Sequence, residues 1–219
     1  MRRPPARGDG THARSTRLRD RRRTVARQER GERTRRALLR AAAGEFARHG
    51  FAGTSLIRIS RAADVTMGAL TFHFAAKSDL AQEVEDWGIL MTRQALPPRR
   101  RVAGVEDVTG FARTLVRLLE REVAVRAAAR LAWDWNGTGA NWYETWLALL
   151  HDRLGHVDDG LAALGPPQRV AALVLCAVAG TEVAVRLGAP GGPGGADPAV
   201  PVRAPMPWPP ASHAPPEGR

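Results

Sequence analysis

Residues 54–80 read TSLIRISRAADVTMGALTFHFAAKSDL, and their apolar positions predict two short helices joined by a turn. Thr54 or Ser55 can cap the first helix, because a hydroxyl there accepts a free backbone N–H. The turn begins at Asp64, and residues 67–74 form the second helix. Two short helices joined in this way form a helix-turn-helix. Their inward-facing residues are Leu56, Ile59, Ala63, Leu70 and Phe74.

A longer amphipathic helix precedes this pair. Apolar residues recur at helical spacing from about 30 to 48, and Gly50 follows as a helix stop. In a helix-turn-helix the second short helix enters the major groove of DNA, with its N-terminal side chains at the base edges. The local pattern therefore predicts a DNA-binding unit.

Apart from Met67, which is the first residue of the second short helix, the candidate DNA contacts are polar, cationic or small residues on these helices and at their ends. Arginine and hydroxyl side chains bind phosphates, which positions a protein without specifying sequence, whereas small residues let the backbone approach the duplex. The predicted set is Arg35, Thr54, Ser55, Arg58, Thr66, Met67, Gly68, Thr71, His73 and Lys77.

Helical patterns also fill the rest of the folded part. Ser78 and Asp79 are placed to cap a helix that runs to about Gln94. Further helices are predicted at about 106–122, 124–135, 141–154 and 167–187. The predicted class is all-α, with a three-helix DNA-binding domain at 28–76 and a helical ligand-binding and dimerisation domain at 77–187.

The two ends of the chain differ from this part in composition. Residues 1–24 hold nine arginines against two aspartates, so they carry +7 of the net +11 and have few apolar side chains. We expect them, and the Pro- and Gly-rich residues 188–219, to be disordered. We also expect translation to begin at Val25. The alternative is an arginine arm that lies along the DNA minor groove.

Charge and composition restrict the function classes. A net charge of +11 favours nucleic acid as partner first and an acidic membrane surface second. The sequence contains no run of eighteen apolar residues, so no membrane span is predicted. The single cysteine, Cys176, agrees with a reducing cytoplasm, and its apolar helix predicts that it is buried. For a DNA-binding protein the expected location is the cytoplasm, in association with the nucleoid. No metal, cofactor or catalytic constellation is predicted, so an enzyme with a helical fold is a minor alternative.

The same stretch resembles the signature of TetR-type transcriptional regulators. The ending GALTFHF at 68–74, with RQER at 27–30, is similar in particular to the γ-butyrolactone receptors of actinomycetes. Glycine is usual at the position of Asp64, but aspartate tolerates the left-handed conformation that this turn needs. Lysine and tyrosine are common at Met67 and Thr71. The matching anchors are Thr54, Ile59, Ala63, Val65, Gly68, Leu70, Phe74, Lys77 and Leu80.

This resemblance implies a homodimeric repressor that binds palindromic operator DNA and is released by a small molecule such as a γ-butyrolactone. It implies an inducer pocket in the helical domain, where Trp146 occupies a place like that of a pocket tryptophan in these receptors. Trp133 and Thr181 are further candidates for the pocket lining. The alternative interpretation is that these aromatic side chains belong to the core.

The resemblance also implies a dimer face made of two helices. Residues 176–183 resemble the first of these, whereas the sequence from Pro190 onward cannot form the second. The alternative function is therefore a degenerate regulator, monomeric and limited to non-specific DNA binding.

Overall fold

The computed structural model describes residues 10–188 except 136, 138 and 140, with side chains described from residue 27 onward. Within these residues the chain forms nine α-helices and no strand, so the predicted all-α class is confirmed. The helices are α1 Gly10–His49, α2 Leu56–Ala62, α3 Met67–His73, α4 Lys77–Ala95, α5 Val105–Arg121, α6 Val123–Asp134, α7 Trp142–Arg153, α8 Asp159–Ala162 and α9 Pro167–Arg186.

The ends of the two short helices follow from local chemistry. The Ser55 hydroxyl caps α2 and accepts the Arg58 N–H at 3.3 Å. The Thr66 hydroxyl caps α3 and accepts the Ala69 N–H at 3.2 Å. Between the helices Asp64 has a φ of 54°, so the predicted left-handed aspartate is confirmed.

Three helices differ from their predictions. Helix α1 begins at Gly10, so the backbone of 10–24 is helical where disorder is predicted. Residues 11–30 contain neither proline nor glycine, so no helix-breaking residue interrupts them. They continue the packed part of α1 toward the N-terminus, and extending an existing helix costs less free energy than starting a new one. Helix α4 begins at Lys77 rather than after Ser78. Helix α8 is too short to show a periodicity and was missed. Residues 189–219 lie outside the described part.

Two hydrophobic clusters form the interior. The first packs the buried faces of α1, α2 and α3 against the start of α4. The second lies among α5, α6, α7 and α9, with Phe111, Trp142 and Trp146 fully buried. Helices α4 and α6 contribute to both clusters. The predicted boundary at 76/77 therefore falls between two helices but does not separate two independent cores.

Helices α4 and α6 approach each other closely at Gly88. A Cβ atom added there would lie 2.5 Å from the Ala128 Cβ and 2.7 Å from the Ala124 carbonyl oxygen. Real Cβ atoms do not come so near to backbone, so only glycine lets the two helices meet at this distance.

Helix α9 has one buried and one exposed side. Val170, Val174 and Val178 are buried, and α9 packs against α5 and α7. Cys176 lies two residues from Val174 and Val178, on the outward side, so the prediction that it is buried is wrong. By length and composition alone α9 could cross a membrane, with a mean hydropathy of 1.5. Its buried side instead belongs to the helical core.

Candidate DNA-binding surface and buried aromatic site

The helix-turn-helix is fixed from behind by its apolar residues. Ile59 of α2 and Leu70 of α3 are completely buried, and Phe74 is 3% exposed. Because α3 is held by Leu70 and Phe74, its opposite side faces away from the protein. This outward side is the candidate DNA-binding surface.

Positive charge is concentrated on the same unit. Residues 27–77 carry nine arginines and one lysine against four acidic residues, a net of +6. Residues 78–188 carry twelve basic and fourteen acidic residues, a net of −2. The excess charge therefore lies on the helix-turn-helix as well as on the N-terminal segment, as binding to phosphates requires.

Several predicted contacts do lie on the outward side. Thr66, Met67, Gly68 and Thr71 are exposed at the start and along the face of α3. Space beside Gly68 is open, since a Cβ atom there would meet nothing within 4 Å. The Thr71 hydroxyl donates to the Met67 carbonyl oxygen at 3.1 Å, so its proton is used within the helix.

Arg58 lies at the edge of this surface and joins α2 to α1. Its Nε donates to the Glu45 carboxylate at 2.8 Å, and its Nη2 lies 2.7 Å from the His49 ring nitrogen. The hydrogen bond from Arg58 holds the pKa of Glu45 below its ordinary value, with help from Arg48. The Arg58 side chain stays half exposed, so it can also face a phosphate. Ser55 lies at the same end of α2.

His73 lies at the last position of α3 and is partly buried against α1. Burial, and then the Arg35 guanidinium, hold the pKa of His73 below its ordinary value. The ring is therefore neutral at neutral pH and offers one donor and one acceptor.

Three other predicted contacts are turned toward the protein. Arg35 forms an ion pair with Glu83 of α4. The Thr54 hydroxyl is buried and donates to the Gly50 carbonyl oxygen at 2.8 Å. The Lys77 ammonium donates to the carbonyl oxygens of Phe51 and Thr54, at 2.8 and 3.0 Å. Thr54 and Lys77 therefore brace the loop before α2, whereas Arg35 joins α1 to α4. Sequence periodicity reveals neither arrangement.

Sequence reasoning also missed an exposed residue. Phe72 is the residue before the last one of α3 and is 83% exposed. A signal was present, because Phe72 lies two residues from both Leu70 and Phe74. On a helix that spacing places it opposite the buried side.

A cluster of aromatic residues lies in the helical domain. Trp142, Tyr143 and Trp146 of α7 pack with ring centroids 4.9 to 6.0 Å apart, and Phe111 of α5 lies 6.5 Å from Trp146. The Trp142 indole N–H donates to the Thr92 hydroxyl at 2.8 Å. Thus one of the two buried tryptophans has its polar atom satisfied.

The other buried polar atoms of this cluster are not satisfied. The Trp146 indole nitrogen is fully buried and has no hydrogen-bond partner among the described residues. The Tyr143 hydroxyl is also buried without a hydrogen bond of ordinary geometry, and burial raises its pKa. A buried donor left unpaired costs about 1–3 kcal/mol. These two groups are therefore suited to bind an acceptor that enters the cluster.

The two weaker lining candidates lie elsewhere. Trp133 is 64% exposed and packs edge-on against Tyr143, with centroids 5.2 Å apart, so it covers the outside of the cluster. Thr181 is buried, but its hydroxyl donates to the Ala177 carbonyl oxygen of its own helix at 2.8 Å. Of the three predicted residues, only Trp146 has a buried polar atom without a hydrogen-bond partner among the described residues.

A buried carboxyl group lies at the start of α7. Glu85 of α4 is 3% exposed and accepts the Trp142 backbone N–H at 3.3 Å. Burial raises the pKa of Glu85 to about 7, and the Asp86 and Glu144 carboxylates act in the same direction. This group therefore titrates near neutrality.

Comparison with known proteins agrees with this geometry. The family model for bacterial regulatory proteins of the tetR family matches residues 38–84, which contain the helix-turn-helix. The A-factor receptor protein of Streptomyces griseus is 42% identical over 62 residues. These are 28% of this chain, and the match spans only 22% of that receptor.

Solved structures match over a greater length. The TetR-family protein CprB from Streptomyces coelicolor, in complex with its biological operator sequence, is 30% identical, with 72% of this chain and 82% of CprB covered and a TM-score of 0.57. A γ-butyrolactone receptor described as ArpA-like is 28% identical, with 75% of this chain and 82% of the receptor covered and a TM-score of 0.59. The chain therefore belongs to the TetR family of bacterial regulatory proteins, and it resembles the γ-butyrolactone receptors within it.

Proposed function

We propose that this chain is a ligand-responsive transcriptional regulator, a repressor that binds palindromic operator DNA as a homodimer in the cytoplasmic nucleoid. The observation that carries this proposal is the exposed face of α3 on a unit with a net charge of +6. CprB, which resembles this chain along most of its length, was solved with its operator. TetR-family members are regulators, and we assign the chain no catalytic activity.

In this proposal α3 lies in the major groove and α2 lies over the backbone. Ser55, Arg58, Thr66, Met67, Gly68, Thr71 and His73 form the contact surface. Arg35, Thr54 and Lys77 support it from behind through their internal bonds. Two such surfaces about 34 Å apart would match half-sites one DNA turn apart.

The exposed side of α9 supports a dimer with a second copy of the chain. Leu173, Val183 and Leu187 are 61%, 39% and 76% exposed. Ala177 and Gly180 lie between them on the same side, and small residues let two helices approach closely. An apolar stripe of this length on a surface helix marks a protein interface. The stripe comprises residues 172, 173, 176, 177, 180, 183 and 187.

The alternative function is a monomer that binds DNA only non-specifically. It is favoured by one observation: α9 is the last helix within the described residues, whereas the resemblance implies two helices at the dimer face. A monomer has a single recognition helix and cannot hold both halves of a palindrome.

DNA binding is tested by fluorescence anisotropy on the DNA upstream of the gene, with excess non-specific competitor at physiological salt. Competition removes the purely electrostatic binding that a basic segment supplies alone. We expect a nanomolar complex that is absent on a scrambled fragment. Loss of binding under competition would contradict the proposed operator-binding regulator and favour the alternative, a monomer that binds DNA only non-specifically.

Leu173→Glu is expected to convert the dimer into a monomer, because it places a charge within the apolar α9 stripe. Size-exclusion chromatography with light scattering should report twice the mass of one chain for the wild type and the single mass for the variant. Leu164→Glu is the matched control, since Leu164 is 51% exposed but lies outside α9. A wild type with the single mass contradicts the proposed dimer.

We also propose that the ligand enters the aromatic cluster, where the unpaired Trp146 N–H would donate to one of its oxygen atoms. A γ-butyrolactone supplies such an oxygen in its ring carbonyl group. Binding there would favour a conformation in which the two α3 helices no longer match the half-sites, so the population shifts off DNA.

Trp146→Phe is expected to raise the γ-butyrolactone concentration needed for release from DNA by about tenfold, which corresponds to one lost hydrogen bond. Affinity for DNA without ligand should not change. Trp142→Phe is the matched control: it removes a bonded N–H, so it should lower the free energy of unfolding by about 1 kcal/mol more than Trp146→Phe does. Release of Trp146→Phe at the wild-type concentration would exclude Trp146 from the site.

A further inference from the structure

Phe72 is the most exposed large apolar side chain among the described residues, at 83%. It projects from α3 on the side opposite Leu70 and Phe74, which are buried. Because Leu70 and Phe74 are buried, they fix the orientation of α3 and leave the Phe72 ring in solvent. It therefore has no intramolecular role in packing, apart from an edge-on contact with the His73 ring at 5.3 Å.

The residues beside Phe72 leave it free to approach a partner. Gly68 lies one helical turn before it on the same side, with open space where a side chain would be. Ala69, three residues before Phe72, lies on the same side of α3 and is also small. Without bulky neighbours, the backbone of α3 can come close to a duplex, and the Phe72 ring becomes the part that reaches deepest.

Helix α3 offers few groups for reading bases by hydrogen bonds. Its sequence, MGALTFH, contains no arginine, lysine, asparagine or glutamine, which make the common bidentate contacts. The Thr71 hydroxyl proton is used by the Met67 carbonyl oxygen, and the His73 ring is partly buried against α1. An apolar contact is thus the main means that remains for distinguishing base pairs.

Thymine presents an apolar group in the major groove, its C5 methyl, and phenylalanine is one of the side chains that contact it. We propose that Phe72 reads the C5 methyl group of a thymine in each half-site of the operator. This rests on the proposed function, and it names the residue that sets base preference. The net charge of +6 on residues 27–77 holds the duplex against this face without choosing its sequence.

The test begins with selection of bound duplexes from a random library by the wild-type protein at physiological salt. In the selected site each thymine is then replaced by deoxyuridine, which removes only the methyl group. At one thymine per half-site we expect the affinity to fall about three- to tenfold, the effect of losing one buried methyl contact at each of two symmetric positions. 5-Methylcytosine paired with guanine measures the contribution of the methyl group outside thymine.

The variants are Phe72→Ala and Phe72→Leu. We expect Phe72→Ala to bind the thymine and deoxyuridine duplexes equally, so that the effects of the two changes are not additive. Phe72→Leu should keep part of the preference for the methyl group. Leu164→Ala is the control for truncation of an exposed apolar residue elsewhere. Thermal unfolding of all three variants should match the wild type, because Phe72 and Leu164 are both exposed.

Each outcome decides the matter. Equal loss on deoxyuridine by wild type and Phe72→Ala overturns the inference, as does unchanged base preference in Phe72→Ala. Weaker binding of Phe72→Ala to every duplex, with the methyl dependence intact, also overturns it, because the ring would then serve affinity alone. A wild type that selects no sequence overturns the proposed function, and this inference with it.

Discussion

Gly88→Val is expected to lower the free energy of unfolding by about 3 kcal/mol or more, the upper part of the range for overpacked interiors. Its first side-chain atom would lie 2.7 Å from the Ala124 carbonyl oxygen, which is backbone and cannot turn aside. The helices α4 and α6 would have to separate, and both hydrophobic clusters contain residues of these helices. Urea denaturation followed by circular dichroism measures the loss.

A second glycine provides the control for this prediction. Gly110 also lies inside a helix, but a Cβ atom there would meet nothing within 4 Å. Gly110→Ala should therefore raise the free energy of unfolding by up to about 1 kcal/mol, from helix propensity alone. If Gly88→Val unfolds within 1 kcal/mol of the wild type, α4 and α6 do not meet as closely as the structure shows.

Glu85→Gln is expected to stabilise the protein at pH 8 by about 2–3 kcal/mol and to have little effect near pH 4.5. Burial raises the pKa of Glu85 to about 7 in the folded state, against 4.5 for an ordinary glutamate. Between these values the folded state binds more protons than the unfolded state, so wild-type stability falls as pH rises through this window. Each unit of difference is worth about 1.4 kcal/mol.

Glutamine imitates the protonated carboxyl group and can still accept the Trp142 N–H. The measurement is urea denaturation of wild type and variant at several pH values from 4.5 to 8. Glu106→Gln, at an exposed position of α5, is the control for the chemical change from carboxylate to amide. A stabilisation by Glu85→Gln that is equal at both ends of the range would contradict a buried, titrating Glu85.

Much of the fold could be predicted because its signals are local. Ser55 and Thr66 cap α2 and α3 through hydroxyl groups only three residues from their partners. The left-handed turn at Asp64 depends on one residue. The buried faces of these helices follow from spacing alone, so the DNA-binding unit was recognisable without any tertiary information.

The partners of long or outward-facing side chains could not be predicted in this way. Lys77 reaches carbonyl oxygens more than twenty residues earlier in the chain, and Arg35 reaches Glu83 of α4. Cys176 lies on an apolar helix, but periodicity does not say which side of such a helix is covered. The start of α1 was missed for another reason. Its polar, Arg-rich composition is typical of disordered segments, but arginine also has a high helix propensity.

Helix α6 packs into both hydrophobic clusters, with a different side toward each. Ala127 and Leu131 belong to the cluster behind the DNA-binding surface, whereas Val125 and Ala128 belong to the aromatic one. A rigid helix cannot rotate to suit one neighbour without disturbing the other, so substitutions on α6 affect both halves at once. Helix α7 contributes to the aromatic cluster alone, so substitutions there can change ligand preference without disturbing the cluster behind the DNA-binding surface. Divergence among relatives should therefore be concentrated on α7.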